Sequence, residues 1–228
     1  MSADNYHQLR AIFHKSPAER VGPPIREELW KRSIETSLDF VERHLSTALC
    51  FSSRSELHAY ALTKMPREGL VCEFGVFKGD SINALADAFD VLDDDRVIYG
   101  FDSFQGLSED WSGHGVLAGH FNLEQELPTV RSKVRLISGW IDETLPGFLA
   151  SHPESFALTH IDMDTYTPTK IILENIEDRL RPGSIMIFDE LIAYPGWQHH
   201  EYRALMECVS KPYEFIAFSG HHAAIRFI

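Results

Sequence analysis

The sequence has little positive charge. Lys and Arg number 21 against 34 Asp and Glu, which gives a formal net charge of −13. This balance disfavours a nucleic-acid binder and docking on an anionic membrane, because both need a basic surface. The chain also lacks an apolar run near the roughly 20 residues of a membrane span. Residues 1–7 lack the basic-then-apolar layout of a secretory signal, so we expect a cytoplasmic protein without nucleic-acid or membrane partners.

Cysteine is scarce as well. Cys50, Cys72 and Cys208 are odd in number and widely spaced, which fits neither a disulfide framework nor a zinc knuckle. We therefore expect reduced thiols in the core. A composition of 44% hydrophobic and 24% charged residues is ordinary for a globular protein, and 228 residues suit one sizeable core better than two. An α/β domain that handles small molecules fits these limits.

The N-terminal part has helical periodicity. Residues 1–25 are polar and end in Gly22-Pro23-Pro24, which predicts a loose arm. Apolar residues recur at helical spacing over residues 26–49 and again over 54–65, where Ser53 is a candidate N-cap. Two helices are thus expected before any strand. We assign residues 1–68 to this arm and helical cap, and residues 69–228 to an α/β domain.

From residue 69 onwards, short apolar runs alternate with helical segments. This pattern predicts a doubly wound, mostly parallel sheet of seven strands. The short link between the last two strands makes one of them antiparallel. The stretch 103–132, called the 103–132 segment below, is expected to be a lid or a short helix with loops. The predicted strands cover 70–74, 97–101, 133–137, 156–161, 184–188, 213–218 and 223–227, and the predicted helices about 80–91, 168–180 and 198–210.

Small and acidic residues follow the first two predicted strands, where open parallel sheets bind ligands. Gly75 permits a tight turn, and Gly79 opens a helix whose amides can receive a carboxylate. Phe77 stands where a dinucleotide motif needs its central glycine, which argues against NAD. Asp102 ends the second strand, where an acidic residue can hold a ribose. The alternative for Asp102 is a turn or N-cap residue.

Ser138-Gly139-Trp140 follows the third predicted strand and offers a small residue and an aromatic wall for an adenine ring. Trp140 could equally pack in the core or lie on the surface. The glycine turn, the ribose acid and this aromatic residue together favour binding of an adenosine-containing ligand.

Acidic residues end the fourth and fifth predicted strands, which are neighbours in a doubly wound sheet. Asp162 and Asp164 follow one, and Asp189 and Glu190 follow the other. Carboxylates this close repel one another, and Mg²⁺, which prefers oxygen ligands, would relieve that repulsion. Asp164 as a helix cap is the alternative. Asp162-Met163-Asp164 also matches the D-x-D of sugar-nucleotide glycosyltransferases, but that function leaves the glycine turn and Asp102 without a role.

Five segments in order resemble the macrocin O-methyltransferase (TylF-like) family of class I methyltransferases, a class that has this strand pattern. The resemblance runs over about residues 54–228 and implies a Rossmann-like fold. It also implies metal-dependent methyl transfer from S-adenosyl-L-methionine to a hydroxyl group of a small molecule, such as the sugars of macrolide and aminocoumarin products. The segments are LVCEFGVFKG at 70–79, GFDSFQGL at 100–107, SGWIDETLP at 138–146, HIDMDTY at 160–166 and RPGSIMIFDE at 181–190.

The resemblance also implies roles by position. Asp162, Asp189 and Glu190 would hold the divalent metal, although the family usually has aspartate at the position of Glu190. Asp164 matches the general base proposed in some members. Other members use a loop histidine, for which His199 or His200 is the nearest candidate. The cofactor would be bound by Glu73, Gly75, Lys78, Gly79, Ser81, Asp102, Ser103, Phe104, Gly139, Trp140 and Asp162.

The alternative to an enzyme is a scaffold that binds the cofactor without catalysis, and the four acidic residues count against it. The helices before Gly69 and residues 105–132 would roof the acceptor pocket or form the face of a homodimer or higher homo-oligomer. The sequence leaves both possibilities open, and it does not identify the acceptor.

Overall fold

The computed structural model describes residues 23–228, so residues 1–22 of the predicted arm lie outside the described residues. Helix α1 (Pro23–His44) begins at the proline pair that was expected to end the arm. Proline is accommodated there because the first turn of a helix has no partner for its N–H groups. Helix α2 (Arg54–Lys64) begins after Ser53, whose side chain accepts a hydrogen bond from the N–H of Glu56, as predicted.

A two-residue strand, β1 (Leu49–Cys50), separates these helices, so the expectation of two helices before any strand was wrong. The remaining elements follow the predicted order, with one helix more. They are β2 (Leu70–Phe74), α3 (Asp80–Val91), β3 (Ile98–Asp102), β4 (Val134–Ser138), α4 (Ile141–Ser151), β5 (Phe156–Ile161), α5 (Tyr166–Ile176), β6 (Leu180–Phe188), α6 (Glu201–Cys208), β7 (Tyr213–Ser219) and β8 (His222–Phe227).

The sheet has eight strands in the order β1-β7-β8-β6-β5-β2-β3-β4. Strand β8 runs antiparallel to β6 and β7, and the other pairs are parallel. The doubly wound class with its C-terminal hairpin is therefore confirmed. The predicted seven strands become eight because β1 pairs with the edge of β7, Leu49 lying opposite Ala217. Two residues carry no periodicity that a sequence pattern could reveal.

The sheet separates two apolar clusters, one against α4 and α5 and one against α2 and α3. In β2, Cys72 and Phe74 belong to the first cluster and Val71 to the second, as expected from alternating side chains. The chain leaves β2 for β3 on one side and returns to β5 on the other. The connections therefore diverge between β2 and β5, which is where ligands bind in such sheets.

Several local predictions need correction. Helix α4 was not predicted, because Pro146 and Gly147 lie inside it. The helix expected over 198–210 is a short 3₁₀ turn, Trp197–His199, followed by α6. Within the 103–132 segment the chain forms loops with two isolated bridges and no helix. Cys72 is buried and Cys208 half-buried, but Cys50 is exposed. Among residues 23–228, no helix is both long and apolar enough to cross a membrane.

Candidate functional site

A cavity of about 500 Å³ opens where β2, β3, β4 and β5 end. One part of its wall comes from the turns after β2, β3 and β4, and the other from the turn after β5, the start of α5 and the 103–132 segment. Of the predicted cofactor and metal residues, the wall includes Gly75, Asp102, Ser103, Gly139, Trp140, Asp162 and Glu190, and it also includes the predicted base Asp164.

The glycine turn after β2 packs directly on the turn after β5. Gly75 has a φ of +92°, and a Cβ atom at this position would lie 1.7 Å from the carbonyl oxygen of Asp162. The Asp162 N–H donates to the carbonyl of Phe74 at 2.8 Å. No side chain fits at residue 75, so the backbone here lines the cavity.

Asp102 holds two turns together. Its Oδ2 accepts hydrogen bonds from the N–H groups of Val76 and Phe77 at 2.9 and 2.8 Å, and Oδ1 accepts one from Phe104 at 2.6 Å. Phe77 and Phe104 both have positive φ, 47° and 55°. The structure therefore shows the turn role that was the alternative for this residue. The carboxylate also lines the cavity, and its ribose-binding role stays a prediction.

We expect the variant Asp102→Ala to lose stability and cofactor affinity together. Three hydrogen bonds to a charged acceptor disappear, which should lower the free energy of unfolding by about 2–4 kcal/mol. Affinity for S-adenosylhomocysteine should fall by about 10-fold or more, because the ribose acceptor and the turn both change. Urea unfolding and calorimetric titration measure the two effects. Asp95→Asn, at an exposed position, is the control. Unchanged stability would contradict the turn role, and unchanged affinity the ribose role.

Five of the predicted cofactor residues are not in the cavity wall. Glu73 points to the α2 and α3 face, where its carboxylate accepts from the Ser81 hydroxyl at 2.8 Å and lies 3.0 Å from Nδ1 of His160. Lys78 lies over the ring of Phe77. Outside the wall are thus Glu73, Lys78, Gly79, Ser81 and Phe104.

Asp162, Asp164 and Glu190 form an acidic cluster at the cavity. One oxygen from each lies within 4.8 Å of the others. Burial, and after it the charges of neighbouring carboxylates, hold the pKa of all three carboxyl groups well above the usual range; Asp189 acts on all three, and Glu201 acts on Asp164 and Glu190. Oε2 of Glu190 is buried without a hydrogen-bond partner. Asp164 has a φ of 61°, in the left-handed region. Among the described residues, Arg54, at 3.8 Å from Asp162, is the basic side chain that forms an ion pair with this cluster.

Glu201 is a residue that the sequence analysis missed. Its side chain is fully buried, and its two oxygens accept hydrogen bonds from the N–H groups of Met163 and Glu190, at 3.1 and 3.2 Å. Burial, and the charge of Asp162 next, raise the pKa of Glu201 to about 8. It joins the turn after β5 to the turn after β6 and so positions the acidic cluster. Glutamate is common in the first turn of helices, so the sequence contains no sign that Glu201 links these two turns.

Asp189 lies with basic side chains on the α2 side of the sheet and not with the carboxylates of the acidic cluster. Its carboxylate points to the α2 face, with Oδ1 at 3.0 Å from Nε of Arg54 and 3.4 Å from His160 and His222. Burial alone would raise the pKa of Asp189, but the hydrogen bond from His160 brings it to about 2. Arg54 also reaches Asp162, at 3.8 Å. Asp189 therefore lies behind the acidic cluster, and its metal-binding role stays a prediction.

The two candidate histidines lie outside the cavity wall. His200 is buried, and its Nε2 lies 3.0 Å from the carbonyl oxygen of Ser112, in the 103–132 segment. Burial lowers the pKa of its imidazole. His199 is exposed on the 3₁₀ turn. His200 thus attaches the 103–132 segment to the loop before α6, and Asp164 is the candidate base that faces the cavity.

Comparisons with known proteins identify the family of this chain. A family model described as "Methyltransferase domain" matches residues 72–191. Mycinamicin III 3''-O-methyltransferase of Micromonospora griseorubida is 29% identical over 159 residues, 59% of this chain and 60% of that protein. A Streptomyces olivaceus protein, 8-demethyl-8-(2,3-dimethoxy-alpha-L-rhamnosyl)-tetracenomycin-C 4'-O-methyltransferase, is 29% identical over 54% of this chain and 52% of its own length. The matches thus span a little over half of these curated relatives.

Among solved structures, the apo form of CalS11, a TDP-rhamnose 3'-O-methyltransferase of calicheamicin biosynthesis, is similar. It has 26% identity and a TM-score of 0.57, with 90% of this chain and 95% of that one covered. These similarities confirm the family resemblance and the fold that were predicted from the sequence.

Proposed function

The chain belongs to the methyltransferase domain family, and from this we propose that it transfers a methyl group from S-adenosyl-L-methionine to a sugar hydroxyl of a natural product, with a divalent cation in the site. The observation that carries the proposal is a single cavity in which the glycine turn and Asp102 face the acidic cluster. The names of the three relatives all describe methylation of a sugar oxygen or a glycosylated product, which supports the acceptor class.

The half of the cavity formed by the turns after β2, β3 and β4 would hold the cofactor. Backbone at Gly75 allows close approach, Asp102 lies where a ribose hydroxyl can bond to it, and Trp140 presents a flat apolar surface to the adenine. Positioning two reactants in one cavity converts their reaction into an effectively unimolecular step.

The acidic cluster fits a divalent cation. Three carboxylates come together there, Asp164 is buried while Asp162 and Glu190 are half-buried, and one buried oxygen of Glu190 has no hydrogen-bond partner. Asp162, Asp164 and Glu190 would hold the cation, with Asp189 and Glu201 behind them. A bound Mg²⁺ lowers the pKa of a hydroxyl that it contacts and fixes its direction. In this proposal Asp164 contacts the cation directly, in the place that the family resemblance gave to Asp189.

Transfer joins the acceptor oxygen to the methyl carbon while the carbon–sulfur bond breaks, and the hydroxyl proton must go to a base. The carboxylate of Asp164 lines the cavity, so it would be within reach of the acceptor hydroxyl and would take its proton. The 103–132 segment covers the cavity with Trp111 and Phe121, which keep water from the reacting atoms.

Thermal unfolding with S-adenosylhomocysteine, with and without Mg²⁺, tests this function. At about 100 times its dissociation constant, the ligand should stabilise the protein by about 2.7 kcal/mol, which raises the midpoint by about 5–10 °C. We expect Mg²⁺ to add to this shift and excess chelator to abolish methyl transfer.

No shift with S-adenosylhomocysteine would favour the D-x-D glycosyltransferase. A shift without any effect of Mg²⁺ on binding or turnover would remove the metal from the proposal, and cofactor binding without transfer to any hydroxyl would favour a scaffold. The domain boundary at residue 69, a cytoplasmic location and assembly as a homo-oligomer stay predictions from the sequence.

A further inference from the structure

Three histidines and one aspartate meet on the α2 side of the sheet, outside the cavity wall, and are called the histidine group below. They come from four different elements, since His58 lies on α2, His160 on β5, Asp189 directly after β6 and His222 at the start of β8. One ligand atom from each of the first three lies within 4.8 Å of the others. None of the four residues lines the cavity, so this group is separate from the site described above.

Distances within the histidine group match those around a tetrahedral ion. Oδ1 of Asp189 lies 3.4 Å from Nε2 of His160 and 3.4 Å from Nδ1 of His222. A zinc ion that binds nitrogen and oxygen at about 2.0–2.1 Å holds its ligand atoms about 3.3–3.4 Å apart when its geometry is tetrahedral. Imidazole nitrogens are ligands that zinc prefers, whereas Mg²⁺ takes oxygen ligands. The donor set and the spacing therefore both favour zinc.

Two nitrogen atoms of the histidine group are buried without a hydrogen bond. They are Nε2 of His58 and Nδ1 of His222, and neither has a partner among residues 23–228. Buried polar atoms of folded proteins nearly always have a partner, so an orphaned pair in one place calls for an explanation. An ion that accepts a lone pair from each nitrogen supplies one.

A second carboxylate supports His160 on its other side. Glu73, which is 1% exposed, lies 3.0 Å from Nδ1 of His160 and accepts a hydrogen bond from the hydroxyl of Ser81 at 2.8 Å. A histidine that binds a metal through one ring nitrogen usually donates its other N–H to a carboxylate, which fixes the ring and makes it a better ligand. The contact with Glu73 thus orients Nε2 of His160 as a ligand needs.

Arg54 is the competing cation, with its Nε 3.0 Å from Oδ1 of Asp189. Its side chain is 38% exposed, so the guanidinium group can turn into solvent, and the same side of the group gives an ion a way in. A bound ion would take the place of this contact and of the proton between His160 and Asp189, because metal ligands must be deprotonated. The proton would leave to solvent.

We propose that the histidine group binds one zinc ion, which joins α2 to the ends of β5 and β6 and to the start of β8. The ion holds Asp189, and with it the turn that carries Glu190 into the cavity, so its role is structural. The inference does not depend on the proposed function, because none of its ligands lines the cavity. The four ligands are His58, His160, Asp189 and His222.

Calorimetry with Zn²⁺ on the full chain, purified without a histidine tag and saturated with Mg²⁺, is the first test. Mg²⁺ fills oxygen sites such as the acidic cluster and competes poorly for imidazole. We expect one Zn²⁺ to bind with a dissociation constant below about 10 µM. A weaker constant would overturn the inference. Binding of S-adenosylhomocysteine without zinc binding would leave the proposed function standing, and the opposite result would leave only the zinc site.

Three variants locate the ion. His58→Leu should weaken Zn²⁺ binding by about 100-fold or more, because a ligand is lost. His44→Leu, at an exposed histidine of α1, is the matched control and should change nothing. Asp164→Asn, in the acidic cluster, should also leave zinc affinity unchanged. Unchanged affinity in His58→Leu, or an equal loss in Asp164→Asn, would show that zinc binds elsewhere and would overturn the inference.

Thermal unfolding gives an independent measurement. Zn²⁺ at about 100 times its dissociation constant should raise the unfolding midpoint of the wild type by about 5–10 °C, and this shift should be absent in His58→Leu. The midpoint of His58→Leu without metal shows whether the variant is folded. If it is not, His222→Ala takes its place, with the same losses expected. Equal shifts in the wild type and a folded variant would contradict the zinc site.

Discussion

The variant Asp162→Asn is expected to lower turnover by about 10³-fold or more, while affinity for S-adenosylhomocysteine changes by less than about 3-fold. Asp162 is the residue where the two halves of the cavity meet: its carbonyl contacts the Gly75 turn and its carboxylate belongs to the acidic cluster. Asparagine keeps the shape and the backbone contacts but removes the charge. The loss should therefore fall on the ordering and activation of the acceptor hydroxyl.

Steady-state rates with excess Mg²⁺ and calorimetry with Mn²⁺ measure the two consequences, turnover and cation affinity. Asp110→Asn is a suitable control, since Asp110 lies in the 103–132 segment with its carboxylate on the N–H of Ala118. Turnover of Asp162→Asn within about 10-fold of wild type would show that this carboxylate does not hold the cation.

The variant His160→Leu is expected to lower the free energy of unfolding by about 3–5 kcal/mol, because it removes a buried charged partner from the two carboxylates of Glu73 and Asp189. His160 is 2% exposed and lies between Glu73, at 3.0 Å from Nδ1, and Asp189, at 3.4 Å from Nε2. Burial opposes its charge, but hydrogen bonds to both carboxylates raise the pKa of the imidazole to about 10. Leucine cannot form either hydrogen bond, so the contacts with Glu73 and Asp189 are both lost.

Urea unfolding at neutral pH measures this effect, and His58→Leu is the matched control. His58 belongs to the same group, but burial lowers its pKa to about 3 and its Nε2 has no hydrogen-bond partner. Because this imidazole is uncharged and its Nε2 forms no hydrogen bond, replacing it should lower the free energy of unfolding by less than about 1.5 kcal/mol. Equal losses in the two variants would mean that packing, and not the charge of His160, stabilises this part of the core.

Much of the fold follows from local patterns. Helix α3 covers Asp80–Val91 as predicted, and Ser53 caps α2 as expected from its position before an amphipathic run. Strands β2 and β5 have their predicted bounds, because buried parallel strands are short continuous apolar runs. The misses were elements without such a signal: β1 exists because the edge of β7 can pair with it, and α4 includes a proline and a glycine.

Placement of the site was predicted in part. That acidic residues gather where β5 and β6 end follows from the sheet topology, and Asp162, Asp164 and Glu190 do so. Asp189 and Glu190 are neighbours in the chain, yet one points to the α2 face and the other into the cavity. The alternation of side chains along an extended chain explains this, since Asp189 continues the row of Ile185 and Ile187.

Apart from β1 and α4, the sequence by itself determined the order of elements, the acidic balance and the strand ends at which acids occur, because periodicity and turn chemistry depend on residues close together in the chain. Tertiary structure decided which acids share a site and what they touch. Glu201 bonds to an N–H 38 residues away, and Glu109 to one 58 residues away. Such pairings are fixed by the packing of loops on the sheet, which brings together residues that no local pattern relates.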